Sequence, residues 1–307
     1  MDVFTQFTPE LLAYWNEAAA SPHTRHPFCD CSWHKTWFII FGTGESLCIF
    51  YNRAAKSIVP LAIRDGVAHF TGGEEISDYL DRIGPTESTE ADWSAVLHML
   101  KARGATSLVL RNIPEGSNTV DFFRNTPGAI VATEDTTPRL HLPHSFDAYL
   151  ETLSRKDRHE LRRKVKRFES EHPEARFSVS ETSDMDTLLT LMKQNPDKQA
   201  FLTTPMEQFF RTLPETAGPT LRQATLFDGN TAIATTLSFL VHSELMLYNS
   251  GYNPEVVGAG WYLKTKLIAW GIVQHITTLN FLQGSERYKY DLGAKDFPVY
   301  RIELALP

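Results

Sequence analysis

Cysteine is scarce in this chain of 307 residues, which has three, at positions 29, 31 and 48. An odd number with a single closely spaced pair does not make a disulfide framework, so the sequence favours a reducing compartment. Apolar runs are short, and none reaches the roughly 18 residues that a membrane-spanning helix needs. The stretch MDVFTQFTPELLAYW lacks the basic and apolar segments of a signal peptide. We therefore expect a cytoplasmic protein with no membrane insertion.

Excess positive charge is also missing, because 30 Lys and Arg residues stand against 37 Asp and Glu residues and the net charge is −7. This balance argues against DNA as a partner but leaves room for a local basic patch. The motifs G-x-S-x-G, H-E-x-x-H and the Walker sequence do not occur, so serine hydrolase, zincin and NTPase chemistry lack support. Cys29 and Cys31 have no second cysteine pair to complete a zinc site, and no metal is expected.

What is present is the same order of elements in two halves. In each half, strand-like runs meet at an Asp-Gly turn (Asp65-Gly66 and Asp228-Gly229), and an amphipathic helix then leads to a returning strand. The predicted fold class is α+β, with two tandem units that each have a mostly antiparallel mixed sheet flanked by helices. The Pro-bearing stretch TTPRLHLPHS suggests a boundary between residues 1–138 and 139–307.

The two halves differ at the start of this helix. In the first half Glu87, Glu90 and Asp92 crowd the helix N-terminus, where they complement the helix dipole and repel phosphate. In the second half Gly258-Ala259-Gly260 stands there instead. Two interpretations remain open: the small residues allow close packing against a neighbour, or they let an anion reach the backbone N–H groups.

A basic segment, SRKDRHELRRKVKRFE, begins the second half. Eight cations fall within residues 155–167, with Leu161, Val165 and Phe168 as an apolar seam. Such a run is commonly a solvated helix face. The alternative is a local anion site for CoA phosphates, a nucleotide-sugar, an anionic polymer or a tRNA stem.

Three segments in this order, SRKDRHELRRKVKRFE, YNSGYNPEVVGAGWYLKTKLIAWGI and LNFLQGSERYKYDLGA, resemble the BioF2-like acetyltransferase domain of the GNAT superfamily. In the first half, HPFCDCSWHKTWFIIFG, IVPLAI and GGEEISDYLDRIG are similar to the N-terminal part of FemAB-like, double-GNAT proteins. The resemblance implies an acyltransferase that uses acetyl-CoA or another acyl-CoA. Its acceptor would be an amine or hydroxyl of a small molecule, glycan or cell-envelope component, bound in a groove between the units. Related FemAB-type enzymes use aminoacyl-tRNA, so tRNA is the second candidate partner. A non-catalytic binding module with the same fold is the third reading.

The resemblance also implies functional residues. GNAT proteins hold the CoA pyrophosphate with a loop [Q/R]-x-x-G-x-[G/A], which Glu255–Gly260 match apart from the leading Glu. The expected cofactor-binding residues are Tyr248, Asn249, Val256, Val257, Gly258, Ala259, Gly260, Arg162 and Arg163. The acceptor is assigned to Trp33, Asp78, Tyr79 and Tyr252, with capping of a turn as the alternative for Asp78.

The catalytic candidates come from GSERYKYDLGA, which matches the family motif Y-K-[FY]. Lys289 would offset charge on the acyl oxygen, and Tyr288 or Tyr290 would protonate the leaving group. Glu286 and Asp291 are candidates for a base, or for ion-pair partners of nearby cations. Since no cysteine lies in these segments, direct transfer without a covalent enzyme intermediate is expected.

Overall fold

The computed structural model describes residues 1–21 and 26–306, which form two compact units: residues 1–136 with the residues from 297 onward, and residues 137–296. Within the described ranges, no helix has both the length and the apolar character needed to cross a membrane. Short 3-10 turns at Pro27–Cys29, Thr86–Ser88 and Gly218–Thr220 join longer elements.

The first part of the chain contains β1 (Asp2–Phe4), α1 (Pro9–Ala19), α2 (Cys31–Phe41), β2 (Ser46–Asn52), β3 (Ser57–Arg64), β4 (Val67–Phe70), α3 (Thr89–Lys101), β5 (Ser107–Pro114), α4 (Asn118–Arg124) and β6 (Ile130–Thr136). The second part contains β7 (Arg139–His141), α5 (Phe146–Thr152), α6 (Arg155–Glu171), β8 (Ala175–Ser180), α7 (Met185–Met192), α8 (Pro196–Phe201), α9 (Thr204–Thr216), β9 (Leu221–Asp228), β10 (Thr231–Val241), β11 (Glu244–Tyr252), α10 (Ala259–Val273), β12 (Thr278–Asn280) and α11 (Arg287–Asp291). The last strand is β13 (Pro298–Ala305).

In the first unit, the described strands form one sheet in the order β1-β2-β3-β4-β5-β13-β6. β2, β3 and β4 are antiparallel neighbours, and α3 then crosses to β5, which pairs parallel to β4. The predicted turn at Asp65-Gly66 joins β3 to β4, with both residues at positive φ. Trp93 of α3 and Phe123 of α4 are fully buried and pack edge to face, with ring centroids 5.1 Å apart. The amphipathic pattern of α3 thus covers one face of the sheet.

The second unit repeats this plan with a sheet ordered β7-β12-β11-β10-β9-β8 among the described strands. β9, β10 and β11 are antiparallel, and α10 crosses to β12, which is parallel to β11. Leu263 and Leu267 of α10 pack in one core cluster with Leu161 and Phe168 of α6. The apolar seam expected on the basic helix is therefore the face that α6 buries.

The predicted fold class is confirmed: each unit has a mostly antiparallel mixed sheet flanked by helices. The two units differ from the predicted residue ranges at the C-terminus. The prediction placed all of residues 139–307 in the second unit, whereas the structure places the residues from 297 onward in the first unit. β13 instead pairs between β5 and β6 in the first sheet. Alternating burial along β13 marks it as a strand, but a strand pattern carries no information on which sheet it completes.

Candidate functional site

β11 and β12 separate soon after they meet. Their parallel pairing covers Glu244 to Met246 opposite Thr278 to Asn280, while β11 continues to Tyr252. On its other edge β11 stays paired to β10, with a β-bulge that leaves Tyr248 as an extra residue between the paired positions 247 and 249. Beyond Met246, the edge of β11 that faces β12 is thus released from their ladder. We call this unpaired edge along residues 247–252 of β11 the strand wedge.

The start of α10 follows this stretch of β11. Gly258 is the N-cap residue and has φ of 91°, a left-handed conformation that favours glycine. A Cβ on Gly260 would lie 3.1 Å from the ring of Tyr252, so this glycine also allows close packing. No side chain among the described residues caps the helix. The Ala259 N–H donates to the Val256 carbonyl oxygen at 3.1 Å, which leaves the N–H groups of Gly260 and Trp261 for another partner. The two interpretations of the glycines are therefore compatible.

α6 is anchored against α10 and presents its cations outward. Ser154 caps the helix by accepting the N–H of Asp157 at 3.1 Å. The ring of Phe168 stacks on Tyr262 with centroids 4.4 Å apart, and the Tyr262 hydroxyl donates to Glu169 at 2.9 Å. These contacts fix the helix so that its polar side remains solvent-exposed.

The exposed side of α6 surrounds an open cavity of about 590 Å³, which we call the basic face; its lining is Arg155, Arg158, His159, Arg162, Arg163 and Lys166. Arg163 donates two hydrogen bonds of 2.8 Å to Glu160, and this pairing lowers the pKa of Glu160 to about 2. Of the two predicted phosphate ligands, Arg163 is thus engaged within the helix. Arg162 lies exposed on the basic face.

Lys289 is enclosed by acceptors. Its side chain is almost fully buried, and Nζ donates to the carbonyl oxygens of Leu282, Gln283 and Gly284 at 3.2, 2.7 and 2.8 Å. Glu286 Oε2 lies 2.9 Å from the same Nζ. Since an ammonium has three N–H donors, these contacts use all of them. The geometry makes Lys289 an anchor for the loop after β12, and it makes Glu286 its ion-pair partner.

The tyrosines of this region have distinct surroundings. The Tyr290 hydroxyl donates to Asp296 at 2.6 Å, so its proton is engaged. Tyr288 packs edge-on against Phe281, and burial raises the pKa of its hydroxyl. Tyr288 therefore stays protonated near neutral pH. Asp291, the other carboxylate candidate, lies 3.6 Å from Arg287 on the same helix.

Two predicted cofactor residues lie on β11 at the bulge. Tyr248 packs beside Phe239 and Phe210, with ring centroids 5.1 and 6.0 Å apart. Asn249 accepts a hydrogen bond from Lys198 Nζ at 3.4 Å. The Tyr248 ring is thus packed among aromatic side chains, and Asn249 places an amide oxygen at this point.

The loop residues expected to hold pyrophosphate have mixed exposure. Ala259 is buried, Val256 packs against the core, and Val257 is 69% exposed. Glu255 is also exposed, and its backbone N–H donates to the side chain of Asn253 at 2.9 Å. Backbone groups, rather than the side chains of this loop, are therefore what it can offer an anion.

Lys198 and Lys264 did not stand out in the sequence, yet both lie near Lys289 and Glu286. Lys264 is 6% exposed, and its Nζ lies 3.3 Å from the Gly260 carbonyl oxygen and 4.7 Å from the ring centre of Tyr288. Burial, followed by the charge of Lys198, lowers the pKa of Lys264 to about 8. Lys198 has a lowered pKa mainly because of burial. The available sequence signal was the presence of Lys264 and Lys266 in the largely apolar pattern of α10.

The acceptor residues predicted in the first half are packed within the first unit. Trp33 is fully buried and its indole N–H donates to Ser77 at 2.8 Å. Tyr79 is 2% exposed and packs near Phe28. Trp33 and Tyr79 therefore offer almost no surface to a ligand, whereas Asp78 is half-buried. Tyr252, on β11, is also half-buried and flanks Gly260.

Comparison with known proteins identifies the second unit. Residues 155–290 match a family model described as "Acetyltransferase (GNAT) domain". This segment runs from α6 to Tyr290 and includes the strand wedge and the start of α10. It also includes Lys198, Lys264 and Lys289. No curated protein sequence is significantly similar to this chain.

Solved structures extend the likeness to both units. L-PGS from Bacillus licheniformis has a TM-score of 0.64 at 13% identity, over 99% of this chain and 94% of that one. FemX has a TM-score of 0.61 at 10% identity, over 100% and 98% of the chains. A tandem GNAT protein from the clavulanic acid biosynthesis pathway has 0.52 at 11% identity, over 98% and 96%. At these identities the likeness shows the fold, and it confirms the BioF2-like and FemAB-like recognition.

Proposed function

We propose that this chain, whose residues 155–290 carry a GNAT-type acetyltransferase domain, transfers an acyl group from acyl-CoA to an amine or hydroxyl. The observation that carries the proposal is the strand wedge beside the open N-terminus of α10. A released strand edge and a helix start without a side-chain cap, joined by one short loop, suit the two ends of an acyl thioester linked to pyrophosphate. The acceptor is a small molecule, a glycan or a cell-envelope component.

The donor would use backbone groups in this arrangement. Pyrophosphate meets the positive end of the α10 dipole, where Gly258 and Gly260 keep side chains away from the N–H groups. The acyl group meets the freed edge of β11, whose backbone N–H groups can polarise its carbonyl. Exposed Arg162 on the basic face adds positive charge for phosphate.

The reaction then needs few specialised side chains. The acceptor nitrogen or oxygen attacks the thioester carbonyl and loses a proton to solvent, the C–S bond breaks, and the CoA sulfur leaves with the bonding electrons and is then protonated. Tyr288 is the proposed proton source for this sulfur, because the hydroxyl of its neighbour Tyr290 already donates to Asp296. Alignment of both reactants can lower the barrier by about 7 to 11 kcal/mol. All three cysteines lie outside residues 155–290, which favours direct transfer.

The test is thermal unfolding with CoA and acetyl-CoA for the wild type, Val257→Glu and Val257→Gln. Val257 is 69% exposed just before the N-cap, so neither substitution disturbs packing. A ligand at a hundred times its Kd stabilises the folded state by about 2.7 kcal/mol. We expect both ligands to raise Tm in the wild type and the Gln variant, and much less in the Glu variant. No shift in the wild type at millimolar ligand would overturn acyl-CoA as the donor.

The basic face favours a second donor, the aminoacyl-tRNA implied by the FemAB resemblance. Its exposed cations sit around an open cavity large enough for a phosphate backbone to approach. If tRNA binds there, affinity falls steeply with salt, and Arg158→Ala and Arg162→Ala each reduce the salt dependence. If neither substitution changes the affinity for tRNA or its salt dependence, the basic face is excluded as the tRNA-binding site.

A further inference from the structure

Buried positive charge exceeds buried negative charge at one place in the second unit. Lys198, Lys264 and Lys289, which we call the lysine group, interact electrostatically with one another and with Glu286. Lys264 and Lys289 are 6% and 1% exposed, and Lys198 is half-buried. Among the described residues, Glu286 is the one carboxylate that interacts with this group. Three ammonium groups thus share one carboxylate.

The three lysines are not equivalent. Lys289 is satisfied by three carbonyl oxygens and Glu286. Lys264 has a 3.3 Å contact to the Gly260 carbonyl oxygen and the ring face of Tyr288. Lys198 has a 3.4 Å contact to the Asn249 amide oxygen. Within the described part of the chain, the two ammonium groups of Lys198 and Lys264 have long neutral contacts and no carboxylate at ion-pair distance.

The position of these two groups points to the substrate. Lys198 reaches Asn249, which lies next to the bulge residue of β11 and borders the strand wedge. Lys264 lies in the second turn of α10, directly after the proposed pyrophosphate site. We propose that Lys198 and Lys264 bind a carboxylate of the substrate close to the reacting acyl group. This inference rests on the proposed function and names the class of substrate that the site takes.

A carboxylate suits this pair for a physical reason. Burying an ammonium without a counter-ion is unfavourable, and one carboxylate has two oxygens that can accept from two donors. Hydrogen bonds between charged groups are stronger than those the lysines now make to neutral oxygens. In the proposed function, pyrophosphate binds at the start of α10. The anion that binds Lys198 and Lys264 is therefore a different and smaller group. The carboxylate belongs either to the acyl group, as in succinyl-CoA, or to the acceptor.

The first arm of the test compares acetyl-CoA with succinyl-CoA by calorimetric titration. If the acyl group carries the carboxylate, the wild type binds succinyl-CoA tighter by on the order of 10- to 100-fold, the range for a charged hydrogen bond. Lys264→Met and Lys198→Met reduce this preference, which is measured in each variant as the ratio of its two affinities. Lys193→Met, an exposed lysine paired with Glu207, is the matched control and retains the preference.

The second arm titrates acetate and acetamide into the protein with and without saturating CoA. If the acceptor carries the carboxylate, acetate binds and acetamide does not, and both lysine substitutions abolish the difference. Because Lys264 is buried, Lys198→Met on the more exposed partner keeps the test valid if Lys264→Met fails to fold.

Proton uptake gives an independent readout. Lys264 is faced by Lys198 and Lys289, whose charges lower its pKa, by Glu286, whose charge raises it, and by the ring of Tyr288. An anion bound beside these groups raises the pKa of Lys264 above about 8. Carboxylate binding at pH 8 therefore takes up protons, which titration in two buffers of different ionisation enthalpy measures. A carboxylate bound elsewhere would leave the proton count unchanged in Lys264→Met.

The outcomes separate this inference from the proposed function. Acetyl-CoA binding without a carboxylate preference in either arm overturns the lysine proposal and leaves the acyltransferase intact. A carboxylate preference that survives in both lysine variants also overturns it. Failure to bind any acyl-CoA contradicts the proposed donor, whereas lysine-dependent acetate binding without CoA still supports the carboxylate site.

Discussion

The same crossover connection occurs in both units, and the two crossover helices begin in opposite ways. At the start of α3, Asp92 is fully buried and accepts hydrogen bonds from four side chains, those of Asn52, Ser57, Arg82 and Ser88. At the start of α10, Gly258 takes a left-handed conformation, and no described side chain caps the helix. No described side chain caps either helix, but the first turn of α3 contains a buried carboxylate and that of α10 contains no acidic residue.

This difference shows how a repeated fold keeps one anion site rather than two. A helix N-terminus attracts negative charge whatever its sequence, so a second site is closed only by supplying that charge internally. Asp92 does so in the first unit, with Arg82 as a buried partner at 2.8 Å. The first unit is thereby stabilised, and the second keeps an open N-terminus for a ligand.

The largest expected effect on the free energy of unfolding comes from removing the buried carboxylate of Asp92 at the start of α3. Asp92→Asn removes the carboxylate but leaves Arg82, which is 4% exposed, without its counter-ion. Loss of one partner of a buried ion pair costs about 3–5 kcal/mol. We expect a decrease of this size in the free energy of unfolding, measured by urea denaturation.

Affinity for CoA should not change in folded Asp92→Asn protein. Glu90→Gln, at an exposed position in the first turn of the same helix, serves as the control and stays within about 0.5 kcal/mol of wild type. Weaker CoA binding in Asp92→Asn would mean that the first unit also contributes to the anion site.

The second unit also has a buried charged side chain, Lys289. The next substitution tests whether Lys289 anchors the loop after β12. Lys289→Met removes the donor from three carbonyl groups and Glu286 and costs about 3 kcal/mol in unfolding free energy. Arg287→Met, on the same short helix with an 84% exposed side chain, is nearly neutral. Unchanged stability in Lys289→Met would contradict the anchoring role and leave the predicted catalytic role of Lys289 in place.

A smaller effect separates backbone strain from ligand binding. Gly258 and Gly104 both have positive φ, 91° and 81°, and Gly104 follows α3 in the first unit. Alanine at either position adopts a disfavoured conformation, which costs about 1–2 kcal/mol. We expect similar losses of Tm for Gly258→Ala and Gly104→Ala, but weaker CoA binding in Gly258→Ala alone. Equal CoA affinity in the two variants would remove Gly258 from the anion site.

The contrast between the two helix starts could be read from the sequence, because it depends on residues adjacent in the chain. Acids before α3 and glycines before α10 are local patterns, and so are the Asp-Gly turns and the buried seam of α6. The lysine group could not be foreseen in this way. Lys198 and Lys264 are far apart in sequence and meet because α8 and α10 both approach the end of β11.

Burial was likewise hard to foresee where a residue type suits both a core and a ligand site. Trp33 and Tyr79 resemble ligand-contacting aromatics in composition, yet tertiary packing encloses them in the first unit. Lys289 matches a family motif, but the sequence does not reveal that three carbonyl groups converge on its ammonium. The strand β13 shows the same limit, since its pairing partners are chosen by topology rather than by pattern.

The smallest expected effect tests the one acid that the open helix start retains. Glu255 stands where the GNAT loop has Gln or Arg, and its side chain is exposed. An exposed charge interaction is worth about 0.2–1 kcal/mol, so Glu255→Gln should tighten CoA binding by about two- to fivefold with no change in Tm. Because 1 M salt shortens the screening length to about 3 Å, the gain should disappear there. Glu151→Gln, an exposed acid on α5, is the control. A gain that persists at 1 M salt would be steric rather than electrostatic, and the two helix starts would then differ in shape more than in charge.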